Sequence, residues 1–138
     1  MEQKDYILRE IEKIGQMLNM IRKKIVGAEM NNSLPVDFQF EEIKNKMISE
    51  TGFDIDDFLM LENEESEQYI SNYKGFNVAN IQFLADIITV LAMKTDPDTK
   101  NVYLNKALYL YEHCNSIDKT YSLAREQKIY NLKNILEK

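Results

Sequence analysis

At 138 residues the chain has the size of one domain and little room for a second. It is 44% hydrophobic with only four Gly and two Pro. That argues against turn-rich sandwiches and barrels and leaves enough core to fold without a disulfide or metal staple. The net charge is −6, and the 17 Lys and Arg are scattered rather than gathered into the basic stripe that neutralises phosphates, so no nucleic-acid partner is expected.

The first helix is expected over residues 3–27. Ile7, Ile11, Ile14, Leu18, Ile21 and Ile25 recur at spacings of four and three, an a/d heptad seam. Leu8 and Met17 widen that seam into a stripe suited to a globular core. Gly15 lets another backbone come close, and Gly27 reads as the stop. The stripe is expected to pack on the chain's own C-terminal helices, or on those plus a second subunit, so a homodimer stays open. After the joint "NNSLP", Asp37 reads as the N-cap of a second helix running to about Glu50, with Phe40, Ile43, Met47 and Ile48 as its stripe.

"TGFD" breaks that helix. Asp54 then caps a short third helix, with Asp57 three residues on and Phe58, Leu59 and Leu61 on its apolar side. "ENEESEQ" is a charge run that Tyr69, Ile70 and Tyr73 extend into a further short helix. Asn77 caps the most apolar helix, 78–94. Pro97 in "KTDPDTK" breaks the chain again, and Thr99 or Asp98 caps a helix over 100–114. "NSID" ends it, and Asp118 caps a last helix to about 137. The fold class is therefore all-α: an irregular bundle or array of about six helices in a single domain, 1–138. Within it, 1–30 is a long amphipathic helix, 37–75 an acidic helical segment and 77–138 the C-terminal helices.

The charge is uneven. Residues 37–67 hold two basic and eleven acidic groups, a net −9, while the flanking segments are slightly positive. A calcium loop starting at Asp54 fails, because Phe58 and Leu59 take its fifth and sixth positions. The acidic side chains read as helix caps and a solvated face, or as a contact for a basic partner. His113 and Cys114 are the only residues of their kinds, and helix neighbours point about 100° apart, so neither a nucleophile–base pair nor a zinc site is expected. A small buried cysteine is the plainer reading of Cys114. The four glycines stand singly, so no phosphate cradle exists. No metal or cofactor is expected.

Arg125, in "TYSLAREQKIY", reads as a structural ion-pair residue or, alternatively, as an anion binder. Tyr103, Tyr111 and Tyr121 read as helix–helix filler or as part of a groove. These four residues, Arg125, Tyr121, Tyr111 and Tyr103, are the candidate partner-binding set. A lone cysteine suits a reducing, cytoplasmic setting. The N-terminus lacks the basic-then-apolar pattern of a secretory signal. The most apolar window, "IQFLADIITVLAM", contains Gln82 and Asp86 and falls short of the roughly 20 residues of a bilayer span, so no membrane association is expected.

"FLADIITVL", with Leu84, Ala85 and Ile88, and "KALYLYEHC", with Ala107, Tyr111 and Cys114, resemble the two helices of a tetratricopeptide repeat. Ala107 comes about ten residues later than a 34-residue repeat would place it, and the closing Pro is missing. "DYILREIEKIG", "GFDIDDFLML" and "KALYLYEH" together look like a family of small bacterial all-helical proteins of unknown function. That resemblance brings no catalytic residue. The expectation is a non-enzymatic helical protein that binds a protein or peptide, with a small-molecule binder or enzyme whose site lies between helices as the alternative.

Overall fold

The structure, a computed structural model, describes the backbone of residues 2–31 and 36–137 and the side chains of 4–24 and 41–137. Among them the regular elements are all helices: α1 (Glu2–Asn31), α2 (Val36–Thr51), α3 (Ile55–Met60), α4 (Asn63–Ser71), α5 (Val78–Ala92), α6 (Pro97–Ile117) and α7 (Leu123–Leu136). None is long and apolar enough to cross a membrane.

Helix α5 is the centre. Its core side chains include Ile81, Leu84, Ala85, Ile88, Leu91 and Ala92, and it takes α6 on one side and α1 on another. The four residues of 93–96 join α5 to α6, so the two lie as neighbours, and Leu104, Ala107, Leu110, Tyr111 and Cys114 are the buried stripe that α6 brings. Helix α7 packs on α6 through Ile129 and Leu132, and α2 bridges α1 and α3.

Helix α1 packs on α5 and, more tightly, on the joint that precedes it. Asn80, buried on α5, donates from Nδ2 to the carbonyls of Ile11 (2.9 Å) and Gly75 (2.7 Å). A Cβ at Gly75 would lie 2.5 Å from the Glu10 carbonyl oxygen, so this position is held open for the α1 backbone. At Gly15 a Cβ would stand 3.0 Å from Asn80 Oδ1: the closeness that glycine admits there is to a side chain. The α1 stripe is buried at Ile14, Met17, Leu18 and Ile21, whereas Tyr6, Ile7 and Leu8 are exposed on the first turns.

The middle of the chain is organised by Phe53. Its ring is fully buried, with the rings of Phe58, Tyr69, Tyr73 and Phe76 at 5.3–5.4 Å in tilted or edge-on arrangements. Gly52, at φ 79°, turns the chain into this cluster as the left-handed residue after α2, and its N–H donates to the Ile48 carbonyl. The phenols close the turn: Tyr69 Oη accepts from the Asp54 N–H and Tyr73 Oη donates to the Gly52 carbonyl.

Several boundaries differ from those read off the sequence. Helix α1 continues through Gly27 to Asn31, because one interior glycine costs only about 1 kcal/mol. Helix α2 starts at Val36, which puts Asp37 inside its first turn; Ile25, Asp37 and Phe40 lie outside the described side chains, and the joint 32–35 outside the described residues. Ile43 and Met47 face the core, but Ile48 faces outward. Asp54 and Asn77 cap as expected, accepting from the N–H groups of Asp57 and Asn80. Helix α6 is capped by Asp96 rather than by Asp98 or Thr99. Pro97 then falls at the first helical position, where its missing N–H costs nothing. Helix α7 is capped by Ser122, not Asp118, whose carboxylate is already claimed by the Thr120 N–H and by Arg125.

Gly75→Ala is expected to destabilise the fold by about 1–3 kcal/mol, the range for forcing atoms into a filled site, because the atom it meets is backbone. Urea denaturation should show a lower midpoint with little change in slope. Ile14→Asp, at a position 2% exposed, is expected to unfold the chain. A folded Ile14→Asp that has lost dimer mass in light scattering would instead make this helix an oligomer seam.

Candidate functional site

Three polar centres lie among the helices, and they decide which candidate side chains face solvent. At the first, Arg125 is buried at the start of α7 and spends its guanidinium on three partners. Nε donates to Gln82 Oε1 (3.2 Å), Nη1 to Asn115 Oδ1 (2.9 Å) and Nη2 to Asp118 Oδ2 (3.3 Å). Those bonds tie α7 to α5 and α6. The Asp118 carboxyl is held below its usual range, first by the Thr120 N–H and then by Arg125.

At the second centre, Asp86 on α5 accepts from the Tyr111 hydroxyl and from Lys128 Nζ (2.9 Å), with Arg22 Nη1 at 3.9 Å. Tyr111 is 2% exposed. Burial and the Asp86 carboxylate hold its phenol well above the usual value. The Cys114 thiol, also buried, donates to the Val78 carbonyl, and burial pushes it up to about 11. His113 stacks on Tyr109.

The third centre is Lys106 on α6. Its Nζ donates to the Leu61 carbonyl (2.6 Å) and to Ser66 Oγ, and sits 5.0 Å from the centre of the Phe58 ring. The side chain is 5% exposed, and burial lowers its affinity for the proton. Leu61 is the capping residue just past α3, so its carbonyl has no partner within the helix and Lys106 supplies one.

Over this lysine lies a trough. Helix α3, the α3–α4 joint and the first turn of α4 form one wall, and α6 forms the other. Its larger part encloses about 1080 Å³ and its smaller part about 420 Å³. Leu59, Met60 and Val102 line both parts, so the two adjoin. Met60 is 82% exposed and Val102 48%, and Leu108 and Tyr109 add further apolar surface. Burial raises the Tyr109 and Tyr103 phenols, so both stay neutral donors at ordinary pH. The rim carries Glu62, Glu64, Glu65 and Glu112 beside the larger part, and Asp56 and Asp98 beside the smaller.

Of the candidate set, Tyr103 alone lines the trough. Arg125 and Tyr111 are turned inward to the first two centres, and Tyr121 stands 73% exposed in the α6–α7 connection, with exposed Ile117 and Leu123 at the two helix ends it joins. Sequence reasoning missed Met60, Val102 and the Glu62–Glu65 rim as parts of one surface. The available signal was Met60, a large apolar residue off the stripe of Phe58 and Leu59. No group of three or more His, Cys, Asp or Glu among the described residues is placed to hold a metal ion. No family model, curated protein or solved structure matches the chain.

Lys106→Met keeps the aliphatic stem and deletes two hydrogen bonds, leaving the Leu61 carbonyl unpaired. A loss of about 1–3 kcal/mol is expected, with faster hydrogen exchange confined to α3 and α4. Stability should also fall in alkali. Tyr73 (raised to about 12, chiefly by burial), Tyr111 and Cys114 hold their protons more tightly when folded. Their contribution is intact below the unfolded values of 9.0 for the thiol and 10.0 for the phenols, and is lost as pH rises through the folded ones. Lys106, shifted downward, works in the opposite direction. The urea midpoint is expected to drop between pH 9 and pH 12, and Tyr111→Phe should shallow that drop.

Proposed function

We propose that this chain is a non-enzymatic interaction module that receives a protein or peptide segment in the trough between α3–α4 and α6. The observation that carries the reading is the exposure of Met60 and Val102, which both line the cleft between α3–α4 and α6. Large apolar side chains left uncovered beside a concave surface are where partners bury area. Methionine suits such a surface, since its unbranched, polarizable chain adapts to different shapes. In this reading the C-terminal helices act as a tetratricopeptide-like array in which α6 supplies the stiff wall. Tyr103 contributes to the trough, while Arg125 and Tyr111 hold α7 and α6 in place behind it.

Small-molecule chemistry at Arg125 gains no support, because three side chains of the same molecule already engage its guanidinium. Selection from a displayed library of random peptides tests the docking reading. Enriched peptides, added to isotope-labelled protein, are expected to shift amide resonances of α3, the α3–α4 joint and the first half of α6. Met60→Asp should abolish their binding while leaving the thermal midpoint within a degree or two, since the side chain is exposed. Enriched peptides that map elsewhere, or no enrichment, would overturn the proposal.

A further inference from the structure

We infer that the occupant of the trough is a cationic apolar segment of another protein, in which Lys or Arg flanks a bulky aliphatic or aromatic side chain. The inference rests on the docking reading above and adds the chemistry of the partner. Glu62, Glu64, Glu65 and Glu112 stand on the rim of the larger part, and no ion pair between described residues engages any of them. Other acids are paired, Asp86 with Lys128, Asp118 with Arg125, and Asp56 beside the smaller part with Lys44, so the uncompensated charge of the trough gathers at the four glutamates of the larger part.

Lys106 is the sole cationic side chain lining the trough, and its ammonium points away from the rim into the Leu61 carbonyl and Ser66 hydroxyl. Glu62 is the N-cap position just before α4, yet its side chain makes no capping bond, so its carboxylate is not committed to the helix. Several like charges around one cleft repel one another within a Debye length of about 8 Å, and a cationic partner relieves that repulsion and is steered toward it. The same field opposes nucleic acid and anionic bilayers. Met60 and Val102 meanwhile offer exposed apolar surface that a purely polar cation would leave uncovered.

The test uses the full chain and synthetic peptides labelled for fluorescence anisotropy. One peptide alternates Leu or Phe with Lys and Arg; its twin replaces every Lys and Arg by Glu. The cationic peptide is expected to bind and the twin not to bind, with affinity falling steeply as salt is raised to physiological strength. The combined variant Glu62→Gln, Glu64→Gln, Glu65→Gln and Glu112→Gln should weaken binding by roughly tenfold or more. Its circular dichroism and thermal midpoint serve as the folding control. Met60→Asp should also weaken binding, which separates a seated peptide from one held by charge alone. Equal binding of the twin, or an unaltered affinity in the Gln variant, would overturn the inference. If peptides chosen from the random library map to the trough but are neutral or acidic, the docking reading survives and the cationic partner does not. Light scattering that shows a dimer broken by Met60→Asp would make a second copy of the chain the occupant and overturn the inference too.

Discussion

The Asp86 carboxylate is the point on which the arrangement of four helices depends. It sits on α5, the most apolar helix, and receives the Tyr111 hydroxyl from α6, the Lys128 ammonium from α7 and, at longer range, the Arg22 guanidinium from α1. A charge so placed is costly unless it is hydrogen-bonded and paired, and only one relative setting of the helices supplies all three partners. The apolar stripes alone would tolerate sliding, since one aliphatic contact resembles another. Lys128 also passes near the Tyr111 ring, and Arg22 lies over Phe83, so the cations are packed as well as paired. Asn80 repeats the principle one turn and a half along the same helix, with the carbonyls of Ile11 and Gly75 as its partners.

The remainder of the fold hangs from this frame through fewer links. Helices α3 and α4 are short and could not persist alone. They are held by the aromatic ring of contacts around Phe53 and by Lys106, which reaches from α6 into the α3–α4 joint. The trough is therefore built between a well-anchored wall, α6, and a lightly anchored one. Such a division makes α3–α4 the wall that opens locally at the lower cost.

Much of this was legible in the sequence. The all-helical class followed from the 3–4 spacing of apolar residues, and the caps Asp54 and Asn77 from their position just ahead of those stripes. The two capping misses share a setting. "DPDT" and "NSIDKTYS" each offer several capping residues, and a neighbouring proline in one and a tertiary partner in the other made the choice. Arg125 took Asp118 out of contention, and Pro97 fixed the first residue of α6 so that Asp96 had to precede it. Arg125 itself, flagged with its structural role alongside a binding one, turned inward because Gln82, Asn115 and Asp118 converge on it from two other elements. The trough was not legible, because it joins residues of α3–α4 to residues of α6 some 40 positions further on. In one dimension "ENEESEQ" is a solvated charge run; only beside Val102 and Tyr109 does it become a rim.

The burial of Lys106 gives the trough a vertical polarity. Carboxylates stand at its lip, apolar side chains line it, and the buried Lys106 ammonium lies deep in the lining, held by the Leu61 carbonyl and beside the Phe58 ring. A side chain descending into it thus passes from a region that attracts cations to one that repels them. Any segment that settles there is sorted by depth, its ammonium or guanidinium groups kept at the surface and its hydrocarbon sent down. In the proposed docking, one buried lysine thereby sets which way up the segment lies.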